Sequence, residues 1–348
     1  MLFRPKILGL FLHPINRITL RQVSTARSFG EKVIPPVSSP PSSSKLTVQQ
    51  ALDKWTVCFQ VAGVSESVLS SQHIVSHVLG HKTLNSLSRK GLSRVLSQPQ
   101  VERIWKLCHK RLTRMPVQYV IEEWDFRDLT LKMKPPVFIP RPETEELVGL
   151  VLADLEESRV GSRCPDSHVH FLEVGCGSGA ISLSLLHSHT QIRGMAVDQS
   201  AEAVALTKEN AQSLGLHDRL TVNQADVIKD AEWLMGSCGR VEVLVSNPPY
   251  LFTEDLESLE PEIHRYEDRA ALDGGRQGMC VIEQILTLAP SLLADCGRVY
   301  LEVDPRHPEL IQMQLRDNRL WGLDYVATHK DFTNRPRFCI LQRRPGNG

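Results

Sequence analysis

The sequence lacks the features that mark secreted, membrane-spanning or metal-binding proteins. None of its eight cysteines forms a C-x-x-C pair or has zinc-finger spacing, which favours reduced thiols in a reducing compartment. The apolar run at residues 7–12 is too short to span a bilayer, and no later run is long enough. Lys plus Arg (40) balance Asp plus Glu (40), so the chain has no overall basic excess for binding nucleic-acid phosphates. These absences predict no membrane span, no metal site and no specific nucleic-acid contact.

Acidic residues are also absent from the start of the chain, where the first is Glu31. The segment before it carries basic residues among hydroxyls and leucines, namely Arg4, Lys6, Arg17, Arg21 and Arg27. This composition is typical of a mitochondrial transit peptide, with a disordered basic tail as the alternative. The stretch "IPPVSSPPSSS" that follows is a Pro/Ser linker. We expect residues 1–45 to be transit peptide and linker, and the protein to lie in the mitochondrial matrix.

Helical spacing of apolar residues begins after the linker. Thr47-x-x-Gln50 has the form of a capping box, and apolar residues then recur at helical intervals to about residue 112. The pattern predicts a small all-α domain over residues 46–115. The extended runs "QYVIEEWDF" and "LTLKMKPPVFI" predict a β-hairpin connector over residues 116–140.

Three histidines in the helical region, His73, His77 and His81, recur at i, i+4 and i+8. This spacing suits a metal site on one helix face, but no carboxylate or cysteine completes the set. Gly80 is expected to end the helix before His81. A solvated helix face is therefore the favoured interpretation.

From His168 onward the chain alternates apolar strand and helix patterns, within a domain predicted over residues 141–348. Strands are predicted at 168–174, 192–197, 219–223, 241–246 and 297–303, with two more near 322–328 and 337–343. Helices are predicted at 179–188, 200–214 and 278–294. This alternation indicates an α/β fold with a mostly parallel, doubly wound sheet.

The ends of the predicted strands carry the candidate chemistry. Gly175, Gly177 and Gly179 follow the first strand, where glycine lets the backbone approach a ligand; a plain tight turn is the alternative. The spacing alone does not separate a dehydrogenase from another adenosine-binding protein. Asp198 ends the second strand and suits the ribose hydroxyls of an adenosine ligand. Asp226, after the third strand, either meets the adenine edge or caps a helix starting near residue 228.

The fourth strand ends in Asn247-Pro248-Pro249-Tyr250. Prolines cannot continue a hydrogen-bonded ladder, so the strand must end there. The carboxyl ends of parallel strands border the ligand crevice of such a sheet, so this segment should face the glycine loop. Asn247 as a mere strand cap and Tyr250 as mere packing are the alternatives.

Together these motifs resemble class I S-adenosyl-L-methionine-dependent methyltransferases that act on a planar nitrogen. DNA adenine, rRNA guanine and release factor glutamine methyltransferases share N-P-P-Y. The segment "IPRPETE" makes the sequence most similar to the last, the HemK/PrmC family, over roughly residues 47–343. Glu122, where the family usually has Gly, and Glu267-Asp268, where Glu-Pro is usual, depart from its pattern.

The resemblance implies S-adenosyl-L-methionine as cofactor and a Rossmann-like methyltransferase domain. The implied cofactor-binding residues are Gly175, Cys176, Gly177, Ser178, Gly179, Asp198, Asp226, Val227 and Asn247. The Asn247 side-chain oxygen and the Pro248 carbonyl would accept both N–H bonds of a glutamine carboxamide, with Tyr250 as a stacking face. These three would be catalytic. The substrate-binding set adds Pro249, Arg141 and Glu143, the last two explained almost equally well by a helix-start salt bridge.

The implied partners are mitochondrial release factors, whose Gly-Gly-Gln loop would enter the pocket of a monomeric enzyme. An N6-adenine or N2-guanine nucleic-acid methyltransferase is one alternative. A non-catalytic assembly factor is another, but the glycine loop and Asn247 are intact. The acid-rich segment 253–269 is either a flap that meets a basic partner or a solvated loop and helix.

Overall fold

The computed structural model describes residues 45–82, 89–160, 168–317 and 322–345. The segment predicted as transit peptide and linker lies outside the described residues, except for Lys45. Among the described residues, no helix is long and apolar enough to cross a membrane. No group of three or more His, Cys, Asp or Glu among them is arranged to hold a metal ion. The seven cysteines that the structure describes are free thiols.

Among the described residues, the helical domain contains α1 (Val48–Val61), α2 (Ser67–Val78), α3 (Arg89–Leu92) and α4 (Gln98–Leu112), and α5 (Val117–Ile121), at the start of the connector, packs into the same core. The predicted capping box is confirmed, because Thr47 and Gln50 bond each other's backbone N–H groups at the start of α1. Trp55 and Phe59 of α1 pack with Ile74 and Trp105 in the domain core. Gly80 follows the end of α2 with a φ of +74°, as expected of a residue that stops a helix.

The prediction that the whole run "QYVIEEWDF" is extended was wrong for its first half, which forms α5. Every residue of α5 except Gln118 is buried, so neither a strand nor a helix period is visible in the sequence. Glu122 stops the helix with a φ of +64°. The hairpin itself is confirmed, with β1 (Glu123–Phe126) antiparallel to β2 (Leu129–Lys132).

Two of the three histidines lie against this hairpin, so the interpretation of a solvated face was wrong for them. The His73 ring packs on Trp124, with ring centroids 5.0 Å apart. His77 Nδ1 lies 2.8 Å from the Glu123 carboxylate. Because both partners follow the helical domain in sequence, these contacts join α2 to the connector.

The second part of the chain alternates strands with helices around one sheet. Its strands are β3 (Val169–Val174), β4 (Ile192–Asp198), β5 (Leu220–Gln224), β6 (Val241–Ser246), β7 (Leu293–Glu302), β8 (Leu323–Lys330) and β9 (Pro336–Arg343). Its helices are α6 (Pro142–Val160), α7 (Ala180–Ser188), α8 (Ala201–Ser213), α9 (Ala231–Cys238), α10 (Pro261–Tyr266), α11 (Cys280–Leu292) and α12 (His307–Asp317). The sheet order is β5-β4-β3-β6-β7-β9-β8.

The first five of these strands are parallel, and β9 and β8 add antiparallel pairs at one edge. The chain adds β4 and β5 on one side of β3 and then crosses to β6 on its other side. The order of strands therefore reverses between β3 and β6. A crevice opens outside the carboxyl ends of the strands at such a point.

Both faces of the sheet are covered by helices, as the apolar strands require. Phe171 and Val243 face the side of α6, α7 and α8. Their neighbours Leu172 and Leu244 face the side of α9, α11 and α12. The two cores fix the sheet rigidly and leave its carboxyl edge as the place where loops form a site.

The acid-rich segment 253–269 is not simply a solvated loop and helix, because two of its acids are buried. Glu262 of α10 accepts from Arg111 of α4 at 3.0 Å and from the Nε of Arg114 at 2.7 Å. Its side chain is only 10% exposed. Glu267 is buried beside the connector, where it accepts from the Ile139 N–H at 3.1 Å. The segment therefore binds the helical domain to the sheet domain.

Candidate active site

The glycine loop between β3 and α7 turns sharply at three glycines. Gly175, Gly177 and Gly179 all have positive φ, at +78°, +54° and +84°. A Cβ at Gly179 would lie 2.9 Å from a methyl carbon of Leu183, so a substitution would displace that side chain as well as strain the backbone. Cys176 and Ser178 between them are buried.

Two side chains of α8 that the sequence analysis missed clamp this loop. Thr207 Oγ1 donates to the Gly177 carbonyl at 2.9 Å, and Asn210 Nδ2 donates to the Ser178 carbonyl at 2.9 Å. Asn210 also accepts from the Lys132 N–H of β2 at 2.8 Å. Two polar residues in the buried part of a helix are a weak signal for such a clamp, since polar groups are buried only with partners.

Asp198, at the end of β4, faces the loop. Its Oδ2 accepts from the Gly177 N–H and its Oδ1 from the Ser200 N–H, both at 2.9 Å. Burial raises the pKa of this carboxyl, while the two backbone bonds oppose the rise. Each oxygen keeps a lone pair free, so Asp198 can also accept from ribose hydroxyls.

Asp226 lies at the same edge, after β5. It caps no helix near residue 228, because α9 begins only at Ala231. Its Oδ1 instead accepts from the Ile228 N–H at 2.9 Å within a turn, and Lys229 lies 2.8 Å from its Oδ2. Asp226 and its neighbour Val227 nevertheless both line the cavity described below.

Asn247 leaves β6 toward the crevice, with Pro248 buried beside it. The Asn247 Nδ2 donates to the Thr144 hydroxyl at 3.2 Å. The Tyr250 hydroxyl donates to Glu302 at 3.2 Å, and the Arg337 guanidinium lies 5.9 Å from its ring centre. Burial and the nearby Glu302 raise the pKa of Tyr250, so the phenol stays protonated.

Thr144 and Glu302 complete this corner, and the sequence analysis did not single out either. Thr144 belongs to "IPRPETE" at the start of α6, and Glu302 ends β7. The Thr144 hydroxyl donates to Glu302 Oε2 at 2.8 Å. Burial raises the pKa of Glu302 to about 7, against the opposing effects of Thr144, Arg337 and Tyr250. The signal available in the sequence was a carboxylate near the end of a predicted strand, as at Asp198.

Arg141 and Glu143 do not form the helix-start salt bridge with each other. Arg141 pairs with Glu267 instead, at 2.7 Å, and its guanidinium lies 4.6 Å from the Phe138 ring centre. Glu143 is partly exposed at the first turn of α6. Both lie on the segment that carries Thr144, next to the corner of Asn247.

A cavity of about 420 Å³ joins these elements, within the usual range for a small-molecule site. Of the predicted site residues it is lined by Gly175, Gly177, Asp198, Asp226, Val227, Asn247 and Pro249. Cys176, Ser178, Gly179, Pro248, Tyr250, Arg141 and Glu143 are not in its wall.

The charge of the cavity suits a cation. Four carboxylates line it, from Asp198, Asp226, Asp268 and Asp273, and the described lining includes no Lys, Arg or His. A Cβ added at Gly177 would meet nothing within 4 Å, and one at Gly175 would point to the Asn247 carbonyl 3.8 Å away. The bare backbone thus lets a ligand approach closely. S-adenosyl-L-methionine carries a sulfonium and an ammonium group on an adenosine, so these residues fit it.

The strand order, the glycine loop and the acidic cavity at the switch point define a class I S-adenosyl-L-methionine-dependent methyltransferase. The chain is 48% identical over 304 residues to the human "MTRF1L release factor glutamine methyltransferase", covering 87% of this chain and 90% of that protein. It is 30% identical over 304 residues to a "Release factor glutamine methyltransferase" of Deinococcus radiodurans, covering 86% of this chain and 100% of that protein. The chain therefore belongs to the release factor glutamine methyltransferase family.

Two family models match parts of the chain. They are the PrmC N-terminal domain at residues 50–121 and the methyltransferase small domain at residues 162–263. Among solved structures, a methyltransferase from Pyrococcus furiosus is 16% identical and has a TM-score of 0.43, covering 62% of this chain and 88% of that chain. The relatives and the family models confirm the predicted family, fold class and cofactor.

Proposed function

We propose that the protein methylates the side-chain nitrogen (N5) of the glutamine in the Gly-Gly-Gln motif of mitochondrial release factors. The observation that carries this proposal is the position of Asn247, where the acidic cavity meets a corner built from "IPRPETE". The names of the relatives at 48% and 30% identity support release factors as the substrate class. The acid-free segment before Glu31 supports the mitochondrial assignment.

The cofactor would be held by the glycine loop and by carboxylates. Asp198 would accept from the ribose hydroxyls, and Asp226 with Val227 would meet the adenine. The backbone at Gly175 and Gly177 would allow close contact. When bound, S-adenosyl-L-methionine supplies an electrophilic methyl group on a sulfonium centre.

The acceptor nitrogen needs help because its lone pair is delocalised into the carbonyl. Asn247 Oδ1 and the Pro248 carbonyl oxygen would accept the two N–H bonds of the glutamine carboxamide and hold the nitrogen in line. As the nitrogen gains positive character, these oxygens stabilise it, and one N–H proton then leaves to solvent. Tyr250, Pro249, Arg141 and Glu143 would border the entering Gly-Gly-Gln loop, in which two glycines keep the backbone narrow.

The helical domain, residues 46–115, would bind the body of the release factor, and the connector, 116–140, would position it against the sheet domain, 141–348. The contacts of Glu262 with Arg111 and Arg114 support a fixed arrangement of these parts. A single active site within one chain is consistent with a monomer.

The decisive experiment compares acceptors. The purified protein is incubated with labelled S-adenosyl-L-methionine and a mitochondrial release factor, duplex DNA or rRNA. We expect label only on the release factor, on the Gly-Gly-Gln glutamine by mass spectrometry. A release factor with Gln replaced by Glu is the matched control and should remain unlabelled.

Two other outcomes would contradict the proposal. Label only on nucleic acid would indicate an adenine or guanine methyltransferase. No cofactor binding in calorimetry would indicate a non-catalytic protein that keeps the fold. In cells, release-factor glutamines from mitochondria should lose the methyl group when the protein is removed.

A further inference from the structure

A chain of hydrogen bonds runs behind Asn247, away from the cavity. The Asn247 amide nitrogen donates to Thr144 Oγ1 at 3.2 Å, and the Thr144 hydroxyl donates to Glu302 Oε2 at 2.8 Å. The other carboxylate oxygen of Glu302 accepts from the Tyr250 hydroxyl at 3.2 Å. Thr144 is 2% exposed and Glu302 1% exposed, so water does not compete for these bonds. One oxygen of the buried Glu302 carboxylate thus accepts from Tyr250, and the other is connected to Asn247 through Thr144.

The direction of the bonds follows from the chemistry of the groups. An ionised carboxylate can only accept hydrogen bonds, so the Thr144 hydroxyl uses its single proton to donate to Glu302. The Thr144 oxygen can then only accept, and it must be met by the NH₂ end of the Asn247 carboxamide. The carbonyl oxygen of the same carboxamide, Oδ1, then points away from Thr144, toward the cavity. With Glu302 ionised, the two possible orientations of the amide are therefore reduced to one.

We propose that Glu302, acting through Thr144, is a positioning residue that fixes the Asn247 carboxamide with its oxygen toward the substrate amide. This inference rests on the proposed function, because the orientation matters for transfer only if Asn247 Oδ1 accepts from a substrate N–H. Neither residue lines the cavity. Both act on the geometry of Asn247.

Protonation of Glu302 would reverse the direction of these hydrogen bonds. A protonated carboxyl can donate to Thr144, whose own proton then points to Asn247 and favours the flipped amide. The groups that face Glu302 are Thr144 and Glu143 of α6, Tyr250 after β6 and Arg337 of β9. Burial raises the pKa of Glu302 to about 7 in these surroundings. Transfer should therefore decrease as the pH falls through about 7.

The test uses Thr144→Val, Thr144→Ser and Glu302→Gln in the full chain, with the exposed Glu309→Gln as the matched control. Thr144→Val keeps the shape but removes both bonds, so kcat should fall about 100-fold with little change in KM for either substrate. Thr144→Ser keeps the hydroxyl and should retain most of the activity. Glu302→Gln should lower kcat and abolish the decrease between about pH 8 and about pH 6. Glu309→Gln should behave as the wild type.

A second readout needs no substrate. In protein labelled with ¹⁵N on asparagine, the side-chain amide protons of Asn247 should exchange slowly in the wild type and in Thr144→Ser, and fast in Thr144→Val. If the wild type methylates no release factor, the proposed function fails, and this exchange decides the inference alone. Slow exchange in Thr144→Val would overturn it. So would a Glu302→Gln enzyme whose pH profile keeps the wild-type shape.

Discussion

At the residue scale, Asn247 has two separable groups with different tasks. Its nitrogen is bound to Thr144 inside the protein, at 3.2 Å, while the residue itself lines the cavity. A side chain that only capped a strand would need no buried partner 103 positions away in sequence. The Asn247 side chain therefore does more than end β6, because it contacts a buried partner and also lines the cavity.

Replacing Asn247 by Ala should nearly abolish methyl transfer and leave the cofactor affinity largely unchanged. The substitution removes the acceptor for the substrate amide but keeps the glycine loop and Asp198, so the loss should be at least about 100-fold in kcat. Transfer is measured with a release factor, and cofactor affinity by calorimetry. Wild-type turnover by this variant would contradict the assigned role.

Asp268 is the second informative residue, because proline is usual at this position in the family that the sequence resembles. Its carboxylate lines the cavity and accepts from the Ala270 N–H at 2.9 Å. It also adds negative charge near Asp198, whose pKa it helps to raise. The departure therefore changes the charge of the cofactor cavity rather than only the loop geometry.

Asp268→Asn should weaken binding of S-adenosyl-L-methionine more than binding of S-adenosylhomocysteine. The first carries one more positive charge, and Asn can still accept from the Ala270 N–H. The ratio of the two dissociation constants should change about threefold, the size expected of a partly exposed charge contact. Calorimetry at low and high salt measures it. An unchanged ratio at low salt would show that Asp268 does not act on the sulfonium.

At the element scale, α10 joins the two parts of the chain. Its Glu262 bonds Arg111 and Arg114 at the end of α4, and Tyr266 donates to the Thr113 carbonyl at 2.9 Å. The acid-rich sequence of residues 253–269 suggests a solvated surface, because local composition does not reveal a basic partner about 150 positions earlier. The chain that follows α10 then passes the cavity, which Asp268 and Asp273 line.

Glu262→Ala should lower the free energy of unfolding by about 3 kcal/mol, because it leaves Arg111 buried without its charged partner. Arg111 is 4% exposed. The exposed Glu257→Ala, in the same segment, is the matched control and should change stability by less than about 0.5 kcal/mol. Urea unfolding measures both. Equal effects of the two variants would mean that the buried contact does not stabilise the fold.

At the scale of the whole molecule, buried carboxyls couple stability to pH. Glu173 of β3 is 1% exposed and accepts from the Ser182 hydroxyl and, at 3.0 Å, from the Ser182 N–H. Burial raises its pKa from 4.5 to about 8. A carboxyl whose pKa rises on folding binds more protons in the folded state, so the contribution of Glu173 to stability is fully present below pH 4.5 and is lost as the pH rises towards about 8.

Glu173→Gln should remove much of this dependence, because Gln keeps an acceptor for Ser182 and does not ionise. Between about pH 5 and about pH 8, the decrease in Tm should be roughly 3–5 °C smaller than in the wild type. Circular dichroism on heating measures it, with the exposed Glu309→Gln as the control that keeps the wild-type slope. Parallel slopes for wild type and Glu173→Gln would contradict the assignment.

Most of the elements could be predicted from local patterns. The predicted strands at 192–197 and 241–246 correspond to Ile192–Asp198 and Val241–Ser246, and the helix at 179–188 to Ala180–Ser188. Buried parallel strands are continuous apolar runs, and turn residues end them, so both signals are local. The strand predicted at 297–303 instead begins at Leu293, because its first residue pairs with Val241 across an irregular register that only the sheet defines.

The sequence by itself determined the alternation of strands and helices, the glycine loop and the place where β6 stops, because each depends on neighbouring residues and backbone conformation. Only the tertiary structure decided which acids are buried, that Asp226 caps no helix, and that Thr144, Asn247 and Glu302 share one chain of hydrogen bonds. Thr144 and Glu302 are 158 positions apart. Hydrogen bonds and burial depend on distance in space, which the order of strands in the sheet sets and no local pattern records.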